Sequence, residues 1–163
     1  MHLLVLLILL PVIIDGACTI KDGSGVTAKI KVRDSIVDID FINSHISNNQ
    51  WTAIAFGPDM SQLELYLFQV QNGNVNVQSG ASRGYESPQM DGHGSVNTVD
   101  SSYSGGSLHV RFTRSQSSSG PRKNTLNSCE VVSLVSSSPS EDGSIGMHYN
   151  RPYQSRVCFD QCR

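Results

Sequence analysis

The chain has 163 residues, with 12 basic and 14 acidic side chains and 38% hydrophobic residues. This length suits a single domain that can bury its own core. A formal charge of −2 provides little attraction for nucleic acid or for an anionic membrane surface, so neither is expected as a partner.

The N-terminal segment is strongly apolar. Its first 14 residues are mostly Leu, Val and Ile, and Asp15 is the first charged side chain. The apolar run is too short to span a bilayer and is followed by Gly16 and Ala17, a pattern typical of a secretory signal peptide. We therefore predict a signal peptide over residues 1–16 and a secreted, extracellular mature domain over residues 17–163, with no membrane span in the mature chain.

All four cysteines, Cys18, Cys129, Cys158 and Cys162, lie in the mature part of the chain. An even number of cysteines in a secreted chain favours two disulfides over a thiol site. Three pairings are possible, and the sequence does not choose among them. Cys158 and Cys162 have no second Cys/His pair to complete four ligands, so zinc is not predicted.

Short β-type segments separated by turn residues follow the signal peptide. Asn72-Gly73 is the strongest hairpin signal among the turns. These segments predict an all-β fold, an antiparallel immunoglobulin-like β-sandwich with disulfide-tied termini. The Ser-rich stretches 115–123 and 136–143 are predicted to be exposed loops. The predicted strands cover 26–32, 36–42, 51–56, 63–70, 74–77, 95–99, 107–113 and 130–135.

The stretch from Trp51 to Met60 joins a predicted core strand to a turn. Trp51, Ala53 and Ala55 can face one side of that strand while Ile54 and Phe56 face the other, which predicts a strand covered on both faces. Gly57-Pro58-Asp59 ends the strand. Met60 therefore lies just beyond a rigid strand, where loops commonly carry functional side chains.

A second informative stretch runs from Gly143 to Cys162 and contains His148. Together with the first stretch it resembles the DOMON domain, a secreted β-sandwich, and looks closest to small nematode-type single-domain members. The segments that carry the resemblance follow one another in order: Cys18, Trp51 to Gly57, Met60, Glu64, Gly84-Tyr85, Pro88, Asp91, Gly106, Val110 to Arg114, Cys129, and His148 to Cys162.

The resemblance implies a cofactor. In the cytochrome branch of this family, which includes the b-type cytochrome domain of cellobiose dehydrogenase, a Met and a His from opposite loops ligate one haem iron. By resemblance these ligands fall on Met60 and His148, with haem b between the two sheets. A thioether and an imidazole fill both axial positions, which suits electron transfer with an extracellular redox partner. The haem would be non-covalent, since the chain has no Cys-x-x-Cys-His.

Other Met and His residues are alternative ligands. Met90 and His93 lie in a glycine-rich loop, and either could replace a ligand. Met147 adjoins His148 and would point away from the same pocket. His109 alternates with apolar residues within a strand and is expected on a sheet face, while His45 in a polar turn receives no role.

Two alternative functions remain open. No Ser lies in a Gly-x-Ser-x-Gly motif that is combined with a plausible order of His and acid, and the chain lacks His-Glu-x-x-His and a phosphate-binding glycine loop, so we predict that it is not an enzyme. The first alternative is a haem-free module that binds a sugar or another small ligand, with Trp51 and Tyr85 offering apolar surface. The second is a structural extracellular protein.

Overall fold

The computed structural model describes residues 16–92, 94–117, 120 and 122–163, so the predicted signal peptide lies outside the described residues except for Gly16. The described part contains twelve strands in two antiparallel sheets, as the sequence predicted. The strands are β1 (Cys18–Lys21), β2 (Val26–Arg33), β3 (Ile36–Asn43), β4 (Gln50–Phe56), β5 (Leu63–Gln71), β6 (Asn74–Ser82), β7 (Gln89–Met90), β8 (Asn97–Ser104), β9 (Ser107–Ser115), β10 (Cys129–Glu141), β11 (Ser144–Ile145) and β12 (Tyr153–Cys158). A single 3-10 turn, Phe159–Gln161, follows β12.

In the part of the chain that the structure covers, no helix is long and apolar enough to cross a membrane.

One sheet has five strands in the order β1-β2-β3-β9-β8. Burial alternates along β2 and β3, so one face of this sheet packs inward and the other faces solvent. Asp38 and Asp40 lie on the solvent side, as predicted. There they pair with Arg111 and His109 of β9, the neighbouring strand.

The second sheet has the order β11-β10-β4-β5-β6-β7, and β12 also pairs with β10. Strand β4 lies between β10 and β5, and all residues from Trp51 to Phe56 are buried, which confirms the prediction of a strand covered on both faces. The prediction of an exposed loop at 136–143 is wrong for most of that segment, because strand β10 continues to Glu141. The register between β10 and β4 shifts at a bulge between Val135 and Ser138. Beyond the bulge the two strands pair again, with Ser138 opposite Trp51.

Aromatic side chains fill the space between the two sheets. Phe41 and Phe68 contact each other across it with ring centroids 4.7 Å apart, and Tyr66 stacks on Phe112 at 4.6 Å. Phe56 meets the ring of Phe159 edge-on. These rings are all buried, so the interior is a packed core.

Two disulfides connect the ends of the domain. Cys18 of β1 is bonded to Cys162, and Cys129 of β10 is bonded to Cys158 of the adjacent strand β12. This resolves the pairing that the sequence left open and confirms the tied termini. Disulfides of this kind are typical of oxidising compartments.

Candidate functional site

Met60 lies in the turn that joins β4 to β5. Gly57 begins this turn with φ +134°, and a Cβ atom there would come within 2.3 Å of the Gln62 carbonyl oxygen, so only glycine is accommodated. The Asp59 carboxylate accepts hydrogen bonds from the amide and the hydroxyl of Ser61, at 2.8 and 2.5 Å. These bonds lower the pKa of Asp59 and close the turn around Met60.

Met60 packs against an apolar cluster on the outer face of the seven-stranded sheet. We call this set the outer-face cluster; its members are Trp51, Ala53, Ala55, Leu63, Leu65, Leu67 and Val135. Met90 and Ile145 pack against the same cluster and help to cover it. On the side away from the core, β4 therefore carries the short apolar side chains of Ala53 and Ala55. We call these two side chains the floor of the outer face.

The position of Met60 corrects one expectation. The family resemblance implied a haem between the two sheets, but that space is filled by aromatic core residues. Met60 packs on the opposite side of the sheet. The reason is strand alternation: Ile54 and Phe56 turn inward to the core, so Ala53 and Ala55 face outward.

His148 lies on the segment between β11 and β12, which runs beside β10. The amide of Tyr149 donates to Ser138 Oγ at 3.2 Å, and the Asn150 side chain donates to Ser136 Oγ at 3.4 Å. The His148 ring is half-buried, and its Nδ1 lies 2.9 Å from the carbonyl oxygen of Asn150. A carbonyl can only accept, so Nδ1 is the donor in this contact, and in the neutral ring Nε2 is then the atom whose lone pair can bind a metal.

The two predicted ligands lie at opposite ends of β4. Met60 follows Phe56 at one end, whereas the segment of His148 is attached to Ser138, which pairs with Trp51 at the other end. Phe56 is five residue steps from Trp51, about 17 Å along the strand. The floor formed by Ala53 and Ala55 lies between these ends.

The alternative ligands have other environments. Met90 packs against the outer-face cluster from β7, so it shares the face of Met60. Met147 is 86% exposed, and His109 pairs with Asp40 on the solvent side of the five-stranded sheet, as predicted. His45 is exposed and contacts the carbonyl of Ser24. His93 lies outside the described residues.

A buried charged network lies behind the Met60 turn. Glu64 is fully buried, and its carboxylate accepts from Arg114 Nη1 at 2.7 Å and from the Tyr66 hydroxyl at 2.8 Å. Burial and the neighbouring Glu64 carboxylate raise the pKa of Tyr66 far above its ordinary value, so this hydroxyl stays protonated and donates. The Lys123 ammonium lies 5.2 Å from the centroid of the Tyr66 ring and 4.0 Å from Glu64.

Asp91 extends the network toward the surface. Although burial raises the pKa of Asp91, hydrogen bonds from Ser79 and Lys123 outweigh that effect and lower it. Arg122 adds an ion pair at 2.6 Å. Glu64 and Asp91 are among the residues that carry the family resemblance, but the sequence indicated no partner for either of them. The signal was an acidic residue inside the apolar run 63–68, since a charge buried in a strand requires a partner.

The described residues line two cavities that could hold a small ligand. One, of about 300 Å³, is lined by Asn49, Gln69, Gln71, Ser140, Asp142 and Gly143. The other, of about 220 Å³, is lined by Tyr66, Ser95, Val96, Asn97, Thr113, Arg114, Ser115 and Lys123. Neither cavity includes Met60 or His148.

Trp51 is buried and offers no open apolar surface, contrary to the sequence expectation, whereas Tyr85 is 97% exposed.

The two packed antiparallel sheets, the disulfide-tied termini and the apolar outer sheet face define an all-β sandwich domain. A family model for the DOMON domain matches residues 22–138, and the chain therefore belongs to the DOMON domain family. This confirms the resemblance drawn from the sequence.

Relatives and solved structures are consistent with this assignment. A DOMON domain-containing protein of Caenorhabditis briggsae is 27% identical over 153 residues, covering 86% of each chain. A DOMON domain-containing protein of Caenorhabditis elegans is also 27% identical, covering 80% of this chain and 74% of the relative.

Two solved cytochrome domains share the fold. The cytochrome domain of the cellobiose dehydrogenase of Myriococcum thermophilum superposes with a TM-score of 0.62 at 14% identity, covering 91% of this chain and 92% of that one. The cytochrome b domain of pyranose dehydrogenase from Coprinopsis cinerea gives a TM-score of 0.66 at 9% identity, covering 88% and 81%.

Proposed function

We propose that the mature domain, residues 17–163, is secreted after removal of the signal peptide 1–16 and binds haem b through Met60 and His148. In this proposal the domain carries electrons to or from an extracellular redox partner and is not itself an enzyme. The observation that carries it is the apolar outer face of the seven-stranded sheet, which has a thioether packed on it and an imidazole beside its other end.

The donor chemistry of the two residues suits the group. Met60 offers a thioether sulfur, and the hydrogen bond from His148 Nδ1 to the Asn150 carbonyl makes Nε2 the ligand atom of the imidazole. Ala53 and Ala55 are 4% and 3% exposed, so a haem ring on this face would displace side chains that cover the cluster, among which are Met90 and Ile145. The donor chemistry of the two residues therefore fits haem b, and ligation of one iron requires both side chains to reach over the sheet face that lies between them.

When bound, haem iron with a thioether and an imidazole supplies one-electron chemistry at a raised potential and keeps no position open for substrate. The protein residues perform the remaining tasks. The turn of Gly57 and Asp59 holds Met60 beside the floor. Asn150 orients the His148 ring, and Met90 and Ile145 pack on the same sheet face, which limits the access of water to it.

A haemin titration of the refolded, oxidised mature domain tests this proposal. One equivalent should give a low-spin absorption spectrum, with sharp α and β bands after reduction by dithionite. Met60→Ala and His148→Ala should each lose the six-coordinate spectrum. Met147→Ala and His45→Ala are matched controls, because these side chains are exposed, and both should behave like the native domain. A broad free-haemin band in the native domain would contradict the proposal.

A second candidate is a haem-free module that binds a small polar ligand such as a sugar. The observation that favours it is the cavity of about 300 Å³ lined by the side chains of Asn49, Gln69 and Gln71. Carboxamides donate and accept at once, which suits neighbouring hydroxyl groups. NMR titration with mono- and oligosaccharides should then shift the side-chain amide signals of Gln69 and Gln71. Unshifted signals would argue against this candidate, and failure of both candidates would favour a structural extracellular protein.

A further inference from the structure

The two ends of the Met60 turn are joined by one side chain from a distant loop. The Asn124 side-chain nitrogen, Nδ2, donates to the carbonyl oxygen of Phe56 at 2.7 Å and lies 3.4 Å from that of Gln62. Phe56 is the last residue of β4, and Gln62 immediately precedes β5. We call these two contacts the Asn124 bridge. They hold together the two points at which the turn leaves the sheet.

Asn124 is itself fixed on both sides of its backbone. Its amide donates to Glu64 Oε2 at 2.6 Å, and its carbonyl accepts from Arg114 Nη2 at 2.6 Å. Glu64 and Arg114 are joined directly at 2.7 Å, which makes a closed triangle of charge-assisted hydrogen bonds. Arg114 belongs to the five-stranded sheet and Glu64 to the other sheet, so the bridge rests on both sheets at once.

The burial of the Glu64–Arg114 ion pair is not explained by stability alone. Removing two charges from water costs several kcal/mol each, and a well-packed apolar pair of the same volume often gives an equally stable protein. An apolar pair, however, would leave the backbone of Asn124 without these partners. The contacts of the triangle therefore point to a geometric role, which is to fix the loop residue that in turn holds the Met60 turn.

We propose that Asn124 is a positioning residue for Met60, and that Glu64 and Arg114 keep its backbone in place. Asn124 touches the turn, not the cofactor. This inference rests on the proposed role of Met60 as an iron ligand. It predicts that loss of the bridge loosens the turn and weakens the bond between iron and sulfur, while the bond between iron and His148 is kept.

Asn124→Ala removes the bridge and keeps both backbone bonds of residue 124. Asn97→Ala is the matched control, because Asn97 is exposed and its side-chain amide donates to the Thr113 hydroxyl on β9 and not to a carbonyl of the turn. In the haem-free domain, the amides of Ser61 and Gln62 should exchange hydrogen about fivefold faster in Asn124→Ala, and at the native rate in Asn97→Ala. Asn124→Ser replaces Asn124→Ala if the alanine variant does not fold, since its hydroxyl is too short to reach Phe56.

The haem-loaded domain provides the second readout. Asn124→Ala should still take up haemin, but imidazole should displace the sulfur ligand at about tenfold lower concentration than in the native domain. Unchanged hydrogen exchange at Ser61 and Gln62 in Asn124→Ala would contradict the proposal that the Asn124 bridge holds the turn, even if the native domain is a Met/His cytochrome. If the native domain takes up no haemin, the proposed function and the ligand role of Met60 fail, while the exchange rates still decide whether Asn124 holds the turn.

Discussion

Replacement of Glu64 by glutamine is expected to lower the free energy of unfolding by about 3 kcal/mol. Glu64 is fully buried, and its carboxylate accepts three hydrogen bonds, from Arg114, from the Asn124 amide and from the Tyr66 hydroxyl. Glutamine has nearly the same shape, so the change removes charge and one acceptor without leaving a cavity.

The magnitude follows from these contacts. If the glutamine oxygen stays beside Arg114 and Asn124, both bonds change from a charged to a neutral acceptor, which costs about 1 kcal/mol each. The new NH2 group then faces the Tyr66 hydroxyl, which must turn its hydrogen away. Arg114 is 7% exposed and loses its counter-charge, which adds about 1 kcal/mol or more.

Urea unfolding of the haem-free mature domain with both disulfides intact measures this difference. The midpoint should fall while the m-value stays constant. Asp38→Asn is the matched control, because its partner Arg111 is 49% exposed and such surface pairs contribute about 0.5 kcal/mol. If Glu64→Gln costs no more than Asp38→Asn, the reasoning about the buried network is refuted.

Three further predictions concern the turn, the termini and acid stability. Gly57→Ala should destabilise the domain by about 3 kcal/mol in urea, whereas Gly23→Ala, also at positive φ but with open space around it, should cost about 1 kcal/mol; equal costs would contradict the steric argument. Replacing Cys18 and Cys162 together by serine should remove about 5 kcal/mol, because their bond closes a loop of sequence separation 144; a calorimetric loss below about 2 kcal/mol would contradict this estimate. Arg111 lowers the folded pKa of Asp38 below 3.8, so its contribution is complete above that pH and is lost as pH falls through the folded pKa; parallel acid-unfolding curves for the native domain and Asp38→Asn would argue against it.

Strand positions could be predicted from the sequence because alternation and turn chemistry are local. The Asn72-Gly73 hairpin forms with both residues at positive φ, as its dipeptide indicated. The prediction of a loop at 136–143 was wrong because it relied on the Ser and Pro content of this segment. A bulge allows strand β10 to continue through the segment despite that composition. The short strands β7 and β11 pair with their preceding neighbours β6 and β10, but two residues are too few for alternation to be recognised in the sequence.

The candidate site was predictable only in part. Alternation separates Ala53 and Ala55 from Ile54 and Phe56, but both sets are apolar, so the sequence could not tell which one faces the core. That choice is made by the aromatic rings of other strands, and it moved the site of Met60 from the interior to the outer face. Asn124 had no sequence signal, because its partners are backbone carbonyls about 60 residues away along the chain.

Met60 is proposed to ligate haem iron on the outer face of the seven-stranded sheet. The most direct measurement is an NMR spectrum of the reduced haem complex with 13C-labelled methionine methyl groups. Residues 17–163 contain three methionines, Met60, Met90 and Met147. A methyl group bonded through sulfur to the iron lies over the porphyrin, and the ring current shifts its signal far upfield. One signal should shift in this way and should disappear in Met60→Leu; three unshifted signals, or a shifted signal that belongs to Met90, would contradict the account.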